Sequence, residues 1–154
     1  MTHDEAYMDR ALRLATRASE RGEVPVGALV VDAGGRVIGR GSNSMERSRR
    51  VTRHAELVAM DAASRRLRNW RLTGCTIYVT LEPCPMCASA LSLSRAARIV
   101  YGADDPLAGA CGSVYNIPAD GRLKAKPSVT GGVRAGECAA LLRSFFSGRR
   151  RSYR

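Results

Sequence analysis

Two short runs carry residue types able to do chemistry: His54-Ala55-Glu56, and Pro83-Cys84-Pro85-Met86-Cys87, whose Pro83 follows Glu56 by 27 residues. Cysteines at i and i+3 of a helix lie one turn apart on the same face, so both sulfurs reach one ion. Pro85 suits a position just inside a helix start, which puts Cys84 at the cap. There the positive end of the helix dipole favours thiolate, the form a metal requires. Alone, the pair also reads as two buried structural cysteines or a redox pair. His54 shifts that balance. The chain has two histidines, and the other, His3, sits at the terminus. The one internally placed imidazole is thus two residues from a carboxylate, at the start of a predicted helix.

Two thiolates and one imidazole make three zinc donors. Structural zinc sites are usually closed by four protein ligands, whereas catalytic sites keep a position for water. Cys111, in a loop, is the credible candidate for a fourth ligand, while Cys75 and Cys138 lie in apolar elements and read as core. The expectation is an open, three-ligand site that acidifies a bound water. Glu56 would then take a proton from that water and return it to the leaving side of a substrate. Without the cysteines, Glu56 would read as an ordinary first-turn glutamate favoured by the dipole.

The elements that must position these residues alternate in type. Thr2 and Glu5 suggest a capping box opening a helix that runs to about Glu20. Strands are predicted over 25–31 and 36–40, joined by the turn Asp32-Ala33-Gly34-Gly35. An Arg-rich connector over 41–52 shows no periodicity, and a helix follows over about 54–67. A strand over 75–80, a helix from Pro85 to about Ser94, a strand over 98–102, a loop over 103–126, a short strand near 128–130 and a helix over about 136–147 complete the chain. The pattern indicates an α/β layer with helices on the sheet faces. With 154 residues, no repeat and no linker, one domain over 1–154 is expected, with a ragged basic tail from about 148.

Composition is that of an ordinary globular chain, 45% hydrophobic and 25% charged. No run approaches a membrane span, and the acidic start Met1-Thr2-His3-Asp4-Glu5 lacks the features of a signal peptide. A cytoplasmic protein with no membrane partner is expected. Five cysteines without a secretion signal favour metal or catalytic use over disulfides. The formal charge of +11 favours polyanion partners.

His-x-Glu followed by Pro-Cys-x-x-Cys resembles the signature of zinc deaminases acting on cytosine or adenine bases. Glu23-Val24-Pro25-Val26-Gly27-Ala28, Asn69-Trp70-Arg71-Leu72, Thr80-Leu81-Glu82-Pro83-Cys84, Tyr101-Gly102-Ala103, Gly136-Glu137-Cys138-Ala139-Ala140 and Phe145-Phe146 resemble the tRNA-specific adenosine deaminase branch. The similarity runs from about Asp4 to Arg150. It implies a three-layer α/β/α, cytidine-deaminase-like fold around a central five-stranded mixed sheet, and a homodimer with one zinc per subunit. It also implies hydrolytic conversion of the wobble adenosine of a tRNA anticodon to inosine. By the same resemblance His54, Cys84 and Cys87 are zinc ligands and Glu56 is the proton shuttle. Asn43, Val26 and the Ala55 backbone contact the base, and Asp105 meets the neighbouring nucleotide's sugar.

Departures from the branch fall at Arg50-Val51-Thr52-Arg53, Leu107-Ala108-Gly109 and Leu123-Lys124-Ala125, where Asp-Pro-Thr-Ala, Lys-Thr-Gly and an Asn-His pair are usual. They leave two alternatives open: a deaminase of a free base or nucleoside (cytosine, guanine or cytidine), or a non-catalytic zinc module that binds RNA. Arg47, Arg49, Arg50 and Arg53 ahead of the metal helix, and Arg149, Arg150 and Arg151 at the end, could neutralise RNA phosphates, or stand as solvated charges. Phe145 and Phe146, or Tyr115, could stack a splayed base, although adjacent phenylalanines also suit packing.

Overall fold

A computed structural model describes residues 1–152, with side chains placed as far as Arg149. The elements among these residues are α1 (His3–Glu20), β1 (Gly27–Val31), β2 (Val37–Ser42), α2 (Met45–Ser48), α3 (Ala55–Leu67), β3 (Thr76–Leu81), α4 (Pro85–Leu93), β4 (Arg98–Ala103), β5 (Ser128–Thr130) and α5 (Ala135–Ser152). The strands form one sheet in the order β2-β1-β3-β4-β5. β1 pairs antiparallel with both β2 and β3, whereas β3, β4 and β5 run parallel, so the sheet is mixed, as the resemblance implied. A parallel pair needs a crossover, and α4 supplies it between β3 and β4.

Alternation along the strands feeds two cores. Ala28, Val30, Ile77, Val79, Ile99 and Tyr101 point into the layer shared with α3 and α4. Leu29, Val31, Tyr78 and Val100 point into the layer shared with α1 and α5. Burial on both faces explains why Ala28-Leu29-Val30-Val31 reads as an unbroken apolar run rather than an alternating one. On α1, Met8, Ala11, Ala15 and Ala18 form the buried stripe at helical spacing. Its capping box is present in both directions, with Glu5 N donating to Thr2 Oγ1 at 3.1 Å and Thr2 N to Glu5 Oε2 at 3.4 Å. Asp4 then ties α1 across the sheet edge, accepting from Tyr78 Oη at 2.7 Å and from Arg98 Nη2 at 2.7 Å.

Two expectations need correction. The connector over 41–52 contains a single turn of helix, α2, too short to show periodicity. The tail from about 148 is not ragged at its start: α5 continues to Ser152, carried past Gly148 by arginines, which are good helix formers. The side chains of Arg150 and Arg151 lie outside the described residues. No helix among the described residues is long and apolar enough to cross a membrane.

Gly39 and Gly41 set how closely α3 approaches β2. A Cβ on Gly41 would fall on the Ala55 carbonyl oxygen and 2.6 Å from Ala59 N, and one on Gly39 would meet the Ala59 carbonyl. Helix backbone cannot yield as a side chain does, so both positions demand glycine. Because Ala55 opens the helix that carries Glu56, Gly41→Ala should destabilise the protein by about 1–3 kcal/mol and lower its zinc content. Urea unfolding and metal analysis of the purified variant check both.

Candidate active site

The chemistry-bearing residues arrive on two helix starts. His54 is the N-cap of α3 and Cys84 the N-cap of α4, each with extended backbone and neither capping its helix with its side chain. Pro85 occupies the first helical position, where the amide it lacks would have had no partner. Cys87, one turn on, is fully buried, and Glu56 in the first turn of α3 is 4% exposed.

His54 Nδ1 lies 3.6 Å from the sulfurs of both Cys84 and Cys87. Zn–S bonds of about 2.3 Å and a Zn–N bond of about 2.0–2.1 Å, at a tetrahedral angle, place N and S roughly 3.5–3.6 Å apart. The donor set therefore fits a zinc ion in both chemistry and spacing. The three donors lie within 4.8 Å of one another, and Cys111 is not part of the group. Cys111 is a buried thiol whose pKa is raised by burial to about 12, and its backbone N–H donates to Glu82. The described residues thus leave an open, three-donor arrangement.

Electrostatics around the cluster are strongly skewed. The hydrogen bond from the Cys87 thiol, with one from His54, brings Cys84 down to about 4. Cys87 is pushed well up because Cys84 accepts its proton. His54 is raised by its contact with Cys84. Burial lifts Glu56 to about 7, and the Cys84 thiolate adds to the rise. A carboxyl near neutrality can both accept and donate a proton.

Beside the cluster is a cavity of about 220 Å³, lined among others by Val26, Asn43, His54, Glu56, Cys84 and Asp105. That is below the roughly 300–1,000 Å³ of pockets for drug-sized ligands and matches a single base. Asn43 Oδ1 accepts from Ala55 N at 2.8 Å, which leaves the Asn43 NH₂ as its free donor. The same bond occupies the N–H of the Ala55 backbone, which the resemblance gave as a base contact without naming the atom. Asp105 borders the cavity, with Oδ1 accepting from Leu107 N at 3.0 Å and Ala108 N at 3.2 Å. Val24, Asn43 and Met45 also line a second, larger groove of about 650 Å³.

Phe145, Phe146, Arg149 and Arg21 border that groove. The two phenyl rings meet edge to face at 5.4 Å, and the Arg149 guanidinium lies 4.8 Å over Phe145 while donating to the Gly22 carbonyl at 2.7 Å. The arginines ahead of α3 divide. Arg47, Arg49 and Arg50 are exposed, whereas Arg53 is half-buried and paired with Asp61 at 3.3 Å. Tyr115 is exposed on the 104–127 loop and borders neither the cavity nor the groove.

Two buried carboxylates escaped the sequence reading. Glu23, 1% exposed, accepts from the backbone N–H groups of Glu46 and Arg47 and so holds α2 over the cavity mouth. Glu82, 2% exposed, accepts from the N–H groups of Asp105, Cys111 and Ser113 and from the Ser113 hydroxyl. Burial pushes the Glu82 carboxyl up, but these hydrogen bonds outweigh it and hold the group below its ordinary value. The only sequence signal was a charged residue beside apolar ones, in Glu23-Val24-Pro25-Val26 and Thr80-Leu81-Glu82-Pro83.

The cytidine and deoxycytidylate deaminase zinc-binding region matches residues 1–103, a span containing His54, Glu56, Cys84 and Cys87. The chain belongs to that family. It is 45% identical over 146 residues to the tRNA-specific adenosine deaminase of Bacillus subtilis (strain 168), covering 95% of this chain and 90% of that protein. It is also 50% identical over 146 residues to the tRNA(Ile)-lysidine synthase of Deinococcus radiodurans, of which it spans only 25%. A solved structure from work on A-to-I editing by tRNA:A34 deaminases at the wobble position superposes with a TM-score of 0.86 at 42% identity, covering 89% of this chain and 99% of that one. A guanine deaminase from Nitrosomonas europaea superposes with a TM-score of 0.81 at 25% identity, covering 93% and 84%.

Glu82→Ala would leave several buried loop amides without an acceptor, at about 1–3 kcal/mol each. Limited proteolysis should then cut within 104–113 faster than in the parent protein, while bound metal, measured by mass spectrometry, stays at the parent value. Equal cutting rates would show that the loop does not depend on this carboxylate.

Proposed function

We propose that the chain hydrolytically deaminates adenosine to inosine in RNA, at the wobble position of a tRNA anticodon. The carrying observation is the adjacency of two spaces: a base-sized cavity beside the three-donor cluster shares Val24, Asn43 and Met45 with a groove about three times larger, bordered by aromatic and guanidinium groups. A free base needs only the first. A base splayed from an RNA loop needs the second as well, for its neighbours to stack and its phosphates to find positive charge. The tRNA-specific adenosine deaminase from Bacillus subtilis and the tRNA:A34 deaminase structure support the same reading.

In this reading His54, Cys84 and Cys87 hold one zinc ion per chain, which supplies a Lewis acid that makes water acidic enough to ionise near neutral pH. Val26 packs against the inserted adenine, and the free NH₂ of Asn43 donates to an acceptor on its edge. Glu56, buried and near neutrality, takes a proton as water oxygen bonds to C6. It returns a proton to the departing amino group, so that the C6–N bond breaks and ammonia leaves. Asp105 borders the cavity where a neighbouring ribose would lie. Arg149 supplies positive charge on the groove, and Arg47, Arg49 and Arg50 supply it on the exposed segment that follows the groove-lining Met45 and Glu46, with Phe145 and Phe146 as stacking surfaces. A homodimer in the cytoplasm, where tRNA is decoded, completes the proposal.

The guanine deaminase likeness favours a second reading, a free-base deaminase on the same core. The zinc-loaded protein should release inosine-containing tRNA from a substrate with adenosine at the wobble position and leave free guanine, cytosine, adenosine and cytidine unchanged. Ammonia from a small molecule only would establish the rival. Glu56→Ala should lower turnover by at least about 10²–10⁴-fold with zinc content intact. Light scattering should give twice the mass of one chain.

A further inference from the structure

We propose that a row of arginines running along α1 from the edge of the groove, with Arg10, Arg13, Arg17 and the adjoining Arg40 of β2 lying outside both the groove and the base cavity, binds the phosphates of the RNA stem that continues from the substrate loop. The inference rests on the RNA reading above and extends it from the loop to the adjoining duplex.

Arg10, Arg13, Arg17 and Arg21 follow one another at intervals of three, four and four residues. At 100° per residue they fall within about 80° of the helix circumference, along about 16 Å of its length. The row ends inside the groove, where Arg21 stands beside Phe145 and Arg149 and donates to Ser42 Oγ at 3.0 Å. Away from the groove, Arg40 of the edge strand β2 joins Arg10, Arg13 and Arg17 around a cleft of about 150 Å³ floored by Leu14 and Leu29. A continuous track of positive charge therefore leads out of the proposed loop-binding groove and along one side of the molecule.

These charges are left uncompensated. Among the described residues none of the five arginines forms an ion pair. The acidic residues of α1 are engaged elsewhere: Asp4 with Arg98, Asp9 with Arg134, and Glu5 in the capping box. Glu20 forms no ion pair with the row. In a chain with 14 acidic residues, leaving five neighbouring arginines unpaired sets up a field that a polyanion would satisfy.

The chemistry of the face selects among polyanions. None of the large exposed apolar residues falls on this part of α1 or β2. A helix that lies on a bilayer presents bulky apolar groups, and a protein interface is anchored by aromatic ones. Duplex RNA offers phosphates on its outside while its deep, narrow major groove hides the bases, and a row of guanidinium groups without aromatics suits that surface.

The test compares the parent protein with R10S/R13S/R17S/R40S and with the matched arginine-to-lysine variant. The probes are a tRNA with adenosine at the wobble position, its anticodon stem-loop hairpin, and the loop sequence alone as a single strand. The serine variant should bind the hairpin ~10-fold more weakly, with a log K against log salt slope shallower by about 2–3. Its binding to the single-stranded loop and its kcat on saturating tRNA should be unchanged. The lysine variant should keep the parent slope, which separates charge from folding, and matched thermal unfolding of all three proteins completes that control. An unchanged hairpin slope in the serine variant overturns the proposal, as does equal weakening on hairpin and loop. Loss of binding to phosphatidylglycerol vesicles with hairpin binding intact would assign the face to a membrane instead. A parent protein that neither binds nor deaminates any RNA removes the functional reading itself. A parent active on tRNA, alongside a serine variant of unchanged slope, removes only the stem contact.

Discussion

Two helix N-termini converge on one point, and neither is capped by its own side chain. Helix starts normally recruit an oxygen to their free amides. At α3 and α4 the capping positions are instead filled by His54 and Cys84, whose side chains turn toward each other and toward Cys87. That choice costs each helix a cap and leaves three electron-rich donors crowded together at the positive ends of two dipoles. A divalent cation relieves the crowding, and the dipoles favour the thiolate form that binds it. Glycines at positions 39 and 41 let α3 lie close on the sheet, and the β3-α4-β4 crossover brings α4 alongside. Much of the architecture serves that meeting.

A second layer of order comes from carboxylates that never touch the reacting atoms. Glu23 and Glu82 are almost wholly buried, yet among the described residues neither forms an ion pair. Each is satisfied by backbone N–H groups of a loop. A buried carboxylate is tolerated only when its lone pairs are occupied, and a loop is held only when its amides find acceptors. The two requirements meet in the same bonds. In this way the segments around Met45 and Asp105, which carry cavity-lining residues but little regular structure, gain the definition that a base-recognition site needs.

The charge distribution divides the molecule by task. Ion pairs such as Asp4–Arg98 and Asp9–Arg134 fasten α1 to the sheet and to the residue just before α5. Those pairings consume acidic groups and leave the opposite side of α1 basic. Arg53 belongs with the fastened residues through Asp61, although in sequence it is indistinguishable from its neighbours Arg49 and Arg50. Net charge suggested a polyanion partner from the outset, but which arginines are free for one depends on where the carboxylates fall in space.

By itself the amino-acid order pointed to the three candidate donors, the carboxylate proposed to move protons, the strand and helix succession, and the mixed sheet that resemblance attaches to them. These were legible because they rest on local rules: cysteines one turn apart, proline at a helix start, apolar periods of two and 3.6. Tertiary structure alone decided that Cys111 stays out of the cluster, that Glu23 and Glu82 act as loop anchors, and that Asn43 spends its oxygen on Ala55. It also decided that Phe145 and Phe146 border a groove beside the base cavity. α2 and the length of α5 escaped for a related reason: one turn is too short for a period to register, and a run of arginines reads equally as helix or tail. The cluster membership, the two anchors, the Asn43 bond and the groove instead depend on contacts between residues apart in the chain, whose energies carry no imprint in the local pattern.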